Sequence, residues 1–184
     1  MKSISIIIPT FNEIQNIIPL VQKIKVSLNS KINWEIIFVD DNSPDKTYER
    51  IESLKKDYSN IKVIKRLNER GLAGAVLTGL NSCSYEQIII MDADLQHDPI
   101  FILKLLNKMY QNEASIVVAS RFIKNSKSNN FHILREIGSK TMIKVFNLFS
   151  SIKLYDPMSG FFIIKKDLFL KISKNLSSDG YKIL

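Results

Sequence analysis

The sequence predicts an α/β protein with a mainly parallel central sheet, and three observations predict it. Short apolar runs recur along the chain, helical-period segments alternate with them, and the first four runs end in polar loops. Strands that alternate with helices favour a parallel sheet with right-handed crossovers, because each strand must cross a helical layer before it can pair again.

The elements follow in order. Ser3 to Ile8 is apolar and ended by Pro9, which reads as a buried strand. Ile17, Leu20, Val21, Ile24 and Leu28 then recur at helical spacing. Asn16 is the expected cap, and Pro19 is expected in the first turn, where its missing N–H costs nothing. Trp34 to Val39 is the second strand, ended by Asp40 and Asp41. The pattern continues with a helix from Asp45 to Tyr58, a strand Ile61 to Lys65 and a helix Leu72 to Cys83. A strand Gln87 to Met91, a helix Asp98 to Tyr110 and a strand Ser115 to Ala119 complete the alternation. Farther on, Asp156-Pro157-Met158-Ser159-Gly160 reads as a turn, Phe161 to Ile164 as a strand, and Asp167 to Leu176 as an amphipathic segment.

Composition fits one globular domain: 184 residues, 45% hydrophobic and 24% charged, with no low-complexity tract. No apolar run approaches the roughly 20 residues that span a bilayer, and the stretch before Pro9 is too short for a signal peptide, so a cytosolic chain is expected. The single cysteine, Cys83, excludes an internal disulfide and a multi-cysteine zinc site. Charge is uneven. Residues 1–100 carry 12 Lys/Arg against 13 Asp/Glu, whereas residues 101–184 carry 14 against 5. The second half therefore suits an anionic partner: nucleic acid, an anionic membrane surface or a phosphate-bearing substrate. Residues 131–152 combine Arg135, Lys140 and Lys144 with a broad apolar arc. Two readings stand for it, an interfacial membrane helix and a helix packed on the sheet edge.

Polar residues concentrate where the predicted strands end, the usual place for ligands in open α/β sheets. Pro9-Thr10-Phe11-Asn12-Glu13 follows the first strand, Asp40-Asp41-Asn42-Ser43 the second, Asn68-Glu69-Arg70-Gly71 the third and Asp92-Ala93-Asp94 the fourth. Residues two apart in an extended segment point the same way, so Asp92 and Asp94 can converge on one divalent cation. Neither a GxGxxG fingerprint nor a GxxxxGK[ST] loop is present, so bound phosphates must be held by metal and side chains. Plainer roles compete. Asp40, Asp41, Ser43 and Asp45 could cap the following helix, Glu13 could complement a helix dipole, Arg70 could be a surface arginine, and His97 suits a turn. Arg135 and Ser139, four residues apart, would share a helix face.

Taken together, Pro9-Thr10-Phe11-Asn12-Glu13, Val39-Asp40-Asp41-Asn42-Ser43-Pro44-Asp45, Arg70-Gly71-Leu72, Met91-Asp92-Ala93-Asp94-Leu95-Gln96-His97 and Asp156-Pro157-Met158-Ser159-Gly160-Phe161 resemble the family 2 glycosyltransferases. Within that family the chain is similar to the polyprenyl-phosphate group that includes dolichyl-phosphate mannose synthases, over residues 3–183. The resemblance implies a GT-A fold, a Rossmann-like α/β/α sandwich, and an inverting transfer from a nucleotide-diphosphate sugar with Mg²⁺ or Mn²⁺. It implies that Pro9, Thr10 and Glu13 border the nucleoside and that Asp40 recognises the base. Asp92 would sit near the ribose and metal, with Asp94 and Gln96 as further metal ligands. Arg121, Arg135 and Ser139 would hold the acceptor and donor phosphates, which makes Asp92, Asp94 and Arg121 the catalytic candidates.

The implied reaction is a hexose, mannose from GDP-mannose in the first instance, moved onto a polyprenyl or dolichyl phosphate by a protein peripheral on the cytosolic face of a membrane. A UDP-sugar donor with a lipid-phosphate or saccharide acceptor is the competing enzyme reading, and a nucleotide-sugar-binding module the non-enzymatic one. Nucleic acid is disfavoured, because the aromatics of the basic half sit in apolar patterns and are not interleaved with arginine. Residues 1–184 are expected to form one catalytic domain. Since relatives continue past Leu184 with a helix and strands, that domain is expected to lack its C-terminal end. The sugar and the oligomeric state stay open.

Overall fold

A computed structural model describes residues 2–28, 32–120 and 159–173. Its elements run β1 (Ser3–Thr10), α1 (Ile14–Leu28), β2 (Asn33–Asp40), α2 (Thr47–Leu54), β3 (Ile61–Lys65), α3 (Leu72–Leu80) and β4 (Gln87–Ile90). A 3-10 turn at Pro99–Phe101 leads into α4 (Ile102–Gln111), followed by β5 (Ile116–Val118), β6 (Phe162–Lys165) and α5 (Lys166–Ser173). The predicted basic helix of residues 131–152 and the turn at Asp156 lie outside the described residues.

The six strands lie in the order β3-β2-β1-β4-β6-β5. β1 pairs in parallel with β2 and β4, and β2 with β3. β6 runs antiparallel to both β4 and β5. The sheet is thus mainly parallel, as the alternation predicts.

Alternation along β1 builds two cores. Ile4, Ile6 and Ile8 are fully buried with Ile17, Leu20 and Ile24 of α1 and Leu106 of α4, on one face of the sheet. Ile7 points the other way, into Ala75, Val76 and Leu80 of α3 and Phe169 of α5. A strand apolar on both faces can be stable only between two helical layers, which is why the runs are continuous and not alternating. Each such isoleucine stabilises the fold by about 1.5–3 kcal/mol.

Two local expectations are corrected. α1 begins at Ile14, so Asn16 is a helical residue and not the cap, and Pro19 falls in the second turn. The early start is possible because partners from the β2–α2 loop satisfy the backbone N–H groups of residues 12–14, while the buried face of Ile17, Leu20, Val21, Ile24 and Leu28 holds the helix past the proline.

At the sheet end away from the strand-end loops, the buried Glu35 ties three segments together. Its carboxylate accepts from Ser5 Oγ at 2.6 Å, Ser84 N at 2.6 Å and Ser84 Oγ at 3.0 Å, and pairs with Lys62 Nζ at 2.8 Å. Burial opposes its charge, but these partners outweigh burial and hold its pKa below the ordinary value. A carboxyl depressed in the folded state stabilises above its unfolded pKa and loses that contribution as pH falls. Glu35→Gln is expected to cost about 1–3 kcal/mol at neutral pH. Urea unfolding as a function of pH checks this, since the gap to the parent should close as pH falls below the ordinary 4.5.

Candidate active site

Four loops meet at the carboxyl ends of β1 to β4, and hydrogen bonds from side chain to backbone fix the first three to one another. The amides of Asn12, Glu13 and Ile14 donate in succession to Ser43 Oγ at 3.0 Å, Thr47 Oγ1 at 2.9 Å and Asp45 Oδ2 at 3.1 Å. Asp45 also accepts from Thr47 N at 3.0 Å and Thr47 Oγ1 at 2.6 Å. Burial raises the pKa of this carboxyl, but the hydroxyl and the amides of Ile14 and Thr47 prevail, leaving it below the usual carboxylate range.

The third loop joins through a buried ion pair. Arg66, which follows β3, approaches Asp41 Oδ1 at 3.1 Å and donates to Gly71 O at 3.1 Å, while its backbone N–H donates to Asp40 O at 2.8 Å. Gly71 N donates to Asp41 Oδ2 at 2.8 Å. Gly71 sits at φ 121, a conformation that a side chain would strain. Asn12, Asn42, Lys46 and Leu95, all in these loops, also have positive φ. Such backbone costs about 1–3 kcal/mol per residue and persists only where neighbours over-determine it.

The loops enclose an open cleft of about 640 Å³ lined by Pro9, Thr10, Phe11, Glu13, Asp41, Arg70, Gly71, Leu72, Asp92, Ala93 and Asp94. Four carboxylates face one guanidinium, and Arg70 Cζ lies 4.8 Å from the centre of the Phe11 ring. Burial pushes the Asp41 carboxyl above its ordinary range, against the Gly71 amide and Arg66, and the neighbouring Asp40 charge adds to the rise. Among the described residues no three His, Cys, Asp or Glu side chains form a closed metal cluster.

The structure brings Pro9, Thr10, Glu13, Asp92 and Asp94 to this cleft, as the motifs imply. Asp40 is elsewhere. It is fully buried beneath the cleft, where its carboxylate accepts from Ser43 N at 2.9 Å, Ser43 Oγ and Thr10 Oγ1 at 3.2 Å. Asp41, weighed only as a helix cap from sequence, reaches the wall instead. Gln96 is exposed and off the wall, with its backbone N–H donating to Asp94 Oδ1 at 3.0 Å. Arg121, Arg135 and Ser139 lie outside the described residues.

Phe11 and Leu72 also line the wall; the sequence places both inside strand-end motifs without marking them as wall residues, and in the structure the 43% exposure of Phe11 shows a large apolar side chain facing open space. His97, read as a turn residue, packs its ring against Phe161 and brings Nε2 to 3.5 Å from Asp92 Oδ2.

A GT-A glycosyltransferase fold and an acidic strand-end cleft define the class of protein. The chain belongs to glycosyl transferase family 2, whose profile matches residues 5–173. It is 39% identical over 183 residues to the dolichol-phosphate mannosyltransferase of Pyrococcus furiosus, covering 98% of this chain and 51% of that protein. The enzyme of the same name from Mycosarcoma maydis is 35% identical over 187 residues, covering 98% of this chain and 63% of its own. The chain thus spans between half and two thirds of the length of these relatives. Among solved structures, the fold is shared with glucosyl-3-phosphoglycerate synthase of Mycobacterium tuberculosis in complex with Mn²⁺, UDP-glucose and phosphoglyceric acid. There the TM-score is 0.68 at 17% identity, covering 91% of this chain and 58% of that one.

Two glycines separate stability from site geometry. A Cβ on Gly160 would lie 2.4 Å from Asp92 Oδ2, the free end of a side chain, whereas one on Gly79 would lie 2.6 Å from Ile7 Cγ2 in the core. Gly160→Ala is expected to melt close to the parent while rotating the Asp92 carboxylate, and Gly79→Ala to lose about 1–3 kcal/mol of stability. Thermal melts, with a crystal structure of the Gly160 variant, check both.

Proposed function

We propose that this protein transfers mannose from GDP-mannose to a dolichyl or polyprenyl phosphate, with inversion, while resting on the cytosolic face of a membrane. The observation that carries the reading is the acidic cleft, in a chain that matches dolichol-phosphate mannosyltransferases along nearly its whole length. Glu13, Asp41, Asp92 and Asp94 against Arg70 would repel a diphosphate, so the donor is expected to arrive with a divalent cation. The lining supplies hard oxygen ligands and neither Cys nor His, a donor set that suits Mg²⁺ or Mn²⁺. Asp92 and Asp94 would hold the ion, and Gln96, exposed and off the wall, would have to turn inward to join them as a third ligand. When bound, the ion neutralises negative charge developing on the departing nucleoside diphosphate.

The chain's own residues then orient the donor. Phe11, with Arg70 over its ring, offers a flat surface at the cleft, and Pro9, Thr10 and Glu13 border it. Asp41, with a raised pKa, adds a polar group on the wall. Asp40 supports this loop from beneath, so any contact with the base would require it to leave Ser43 and Thr10. A lipid phosphate is ionised at neutral pH and needs no strong base, so placing it matters more than moving a proton. Arg121, Arg135 and Ser139 are the residues proposed to hold it, since arginine forks grip phosphate oxygens in pairs. The basic residues 101–184 suit an anionic bilayer, and among the described residues no helix is long and apolar enough to cross one.

A UDP-sugar donor is the second reading, favoured by the shared fold with a synthase that binds UDP-glucose and Mn²⁺. Incubating the protein with radiolabelled GDP-mannose or UDP-glucose and a polyprenyl phosphate in detergent distinguishes them. Mannolipid should form with GDP-mannose, stop on chelation with EDTA and return with Mn²⁺. Labelled lipid from UDP-glucose alone would overturn the mannose assignment. Asp94→Asn is expected to lower the rate ~100-fold with the melting temperature unchanged.

A further inference from the structure

We propose that His97 is a positioning residue, holding the Asp92 carboxylate in the orientation that receives the divalent cation. The inference rests on the cation site assigned above to Asp92 and Asp94. Its basis is the fold of the loop after β4. Leu95 adopts φ 61 and turns the chain back on itself, so that His97 returns over Asp92. The return is anchored immediately downstream: Asp98 Oδ1 accepts from Ile100 N at 3.1 Å, with Pro99 at the head of the 3-10 turn. His97 is fixed sideways as well, its ring 5.3 Å from that of Phe161, a core residue 2% exposed.

The Asp92 carboxylate is therefore approached by two groups. His97 Nε2 stands 3.5 Å from Oδ2, and a Cβ at Gly160 would lie 2.4 Å from the same oxygen, so the glycine leaves that oxygen its room. A carboxylate offers only acceptors, so the contact attracts when Nε2 carries the hydrogen. The His97 side chain is 13% exposed and that of Asp92 34%, so the orienting group is the more enclosed of the two and the carboxylate keeps its access to the cleft. His97 does not line the cleft and need not touch the ion or the donor. It acts through Asp92 by removing the rotamers in which the carboxylate turns away. Outer groups that orient metal ligands in this manner typically change affinity by about 10–100-fold when removed.

The test measures Mn²⁺ binding by calorimetry in the presence of saturating GDP, with neither sugar nor acceptor, for the full chain and three variants. His97→Phe keeps the ring against Phe161 and loses the donor, His97→Ala loses both, and His97→Gln loses the ring but presents an amide N–H2 at similar reach. Mn²⁺ affinity is expected to fall about 10-fold or more in the Phe and Ala variants, and to recover to within about threefold of the parent in the Gln variant. GDP binding without metal should be equal in all four, which a general loss of structure would not allow. Parent-like Mn²⁺ affinity in the Phe variant overturns the inference, as does a Gln variant as weak as Phe, because packing and not orientation would then be the cause. A parent chain that binds no Mn²⁺ overturns the cation site itself, an outcome visible before any variant is compared.

Discussion

The whole cleft depends on how three consecutive amides, those of Asn12, Glu13 and Ile14, are satisfied by the side chains of Ser43, Thr47 and Asp45. These N–H groups belong to the start of α1, where no intrahelical acceptor exists. Without partners each would carry a desolvation cost of about 1–3 kcal/mol, and the loop would have to open toward water. Because the partners come from the loop after β2, the β1 and β2 ends are placed as one unit. Asp40 braces that unit from below and Arg66 extends it to the β3 loop. The strained residues Asn12, Asn42 and Lys46 are tolerable for the same reason, since the amides of Asn12, Glu13, Asp41, Ser43 and Thr47 around them are held.

A rigid frame of this kind allows the cleft to gather charge of one sign. Glu13, Asp41 and the pair Asp92 and Asp94 stand on three different loops, and the frame holds the first two of these loops at fixed positions. Arg66 offsets part of the repulsion from within, since its guanidinium lies behind Asp41 and not in the cleft. Its close approach to α3 requires a residue with no side chain, which is why Gly74, 2.8 Å from Arg66 Nη2 at its Cβ position, stands there. The acidic surface that would receive a cation is thus maintained by a cation the ligand never meets.

Much of this was legible in the sequence. Continuous apolar runs gave the parallel strands, because a strand buried on both faces has no polar side to show. The Asp92-Ala93-Asp94 motif followed such a run and could be placed at the cleft from spacing alone. Other features depended on contacts between distant residues. Whether Asp40 or Asp41 lines the cleft is decided at the end of β2, and one residue of shift exchanges them. The start of α1 was misplaced because its capping partners lie about thirty residues downstream. His97 reads from sequence only as a turn residue, because its approach to Asp92 follows a bend at Leu95, a residue type that gives no sign of positive φ. The antiparallel direction of β6 could not be read either, since an apolar strand pairs equally well with either neighbour until the chain path is known.

The position of β6 between β4 and β5 has a consequence for how such a protein can diversify. β5 and β6 are neighbours, joined where Ala119 N donates to Phe161 O at 2.9 Å and Ser159 Oγ to Ala119 O at 2.6 Å, so Ala119 and Ser159, 40 residues apart in sequence, meet at one point of the sheet. A change of chain length between two residues held together in this way need not alter the register of any strand. The strand-end frame, whose hydrogen bonds join residues 12–14, 43–47 and 71 to one another and to Asp41, does not depend on the length of chain between those two residues.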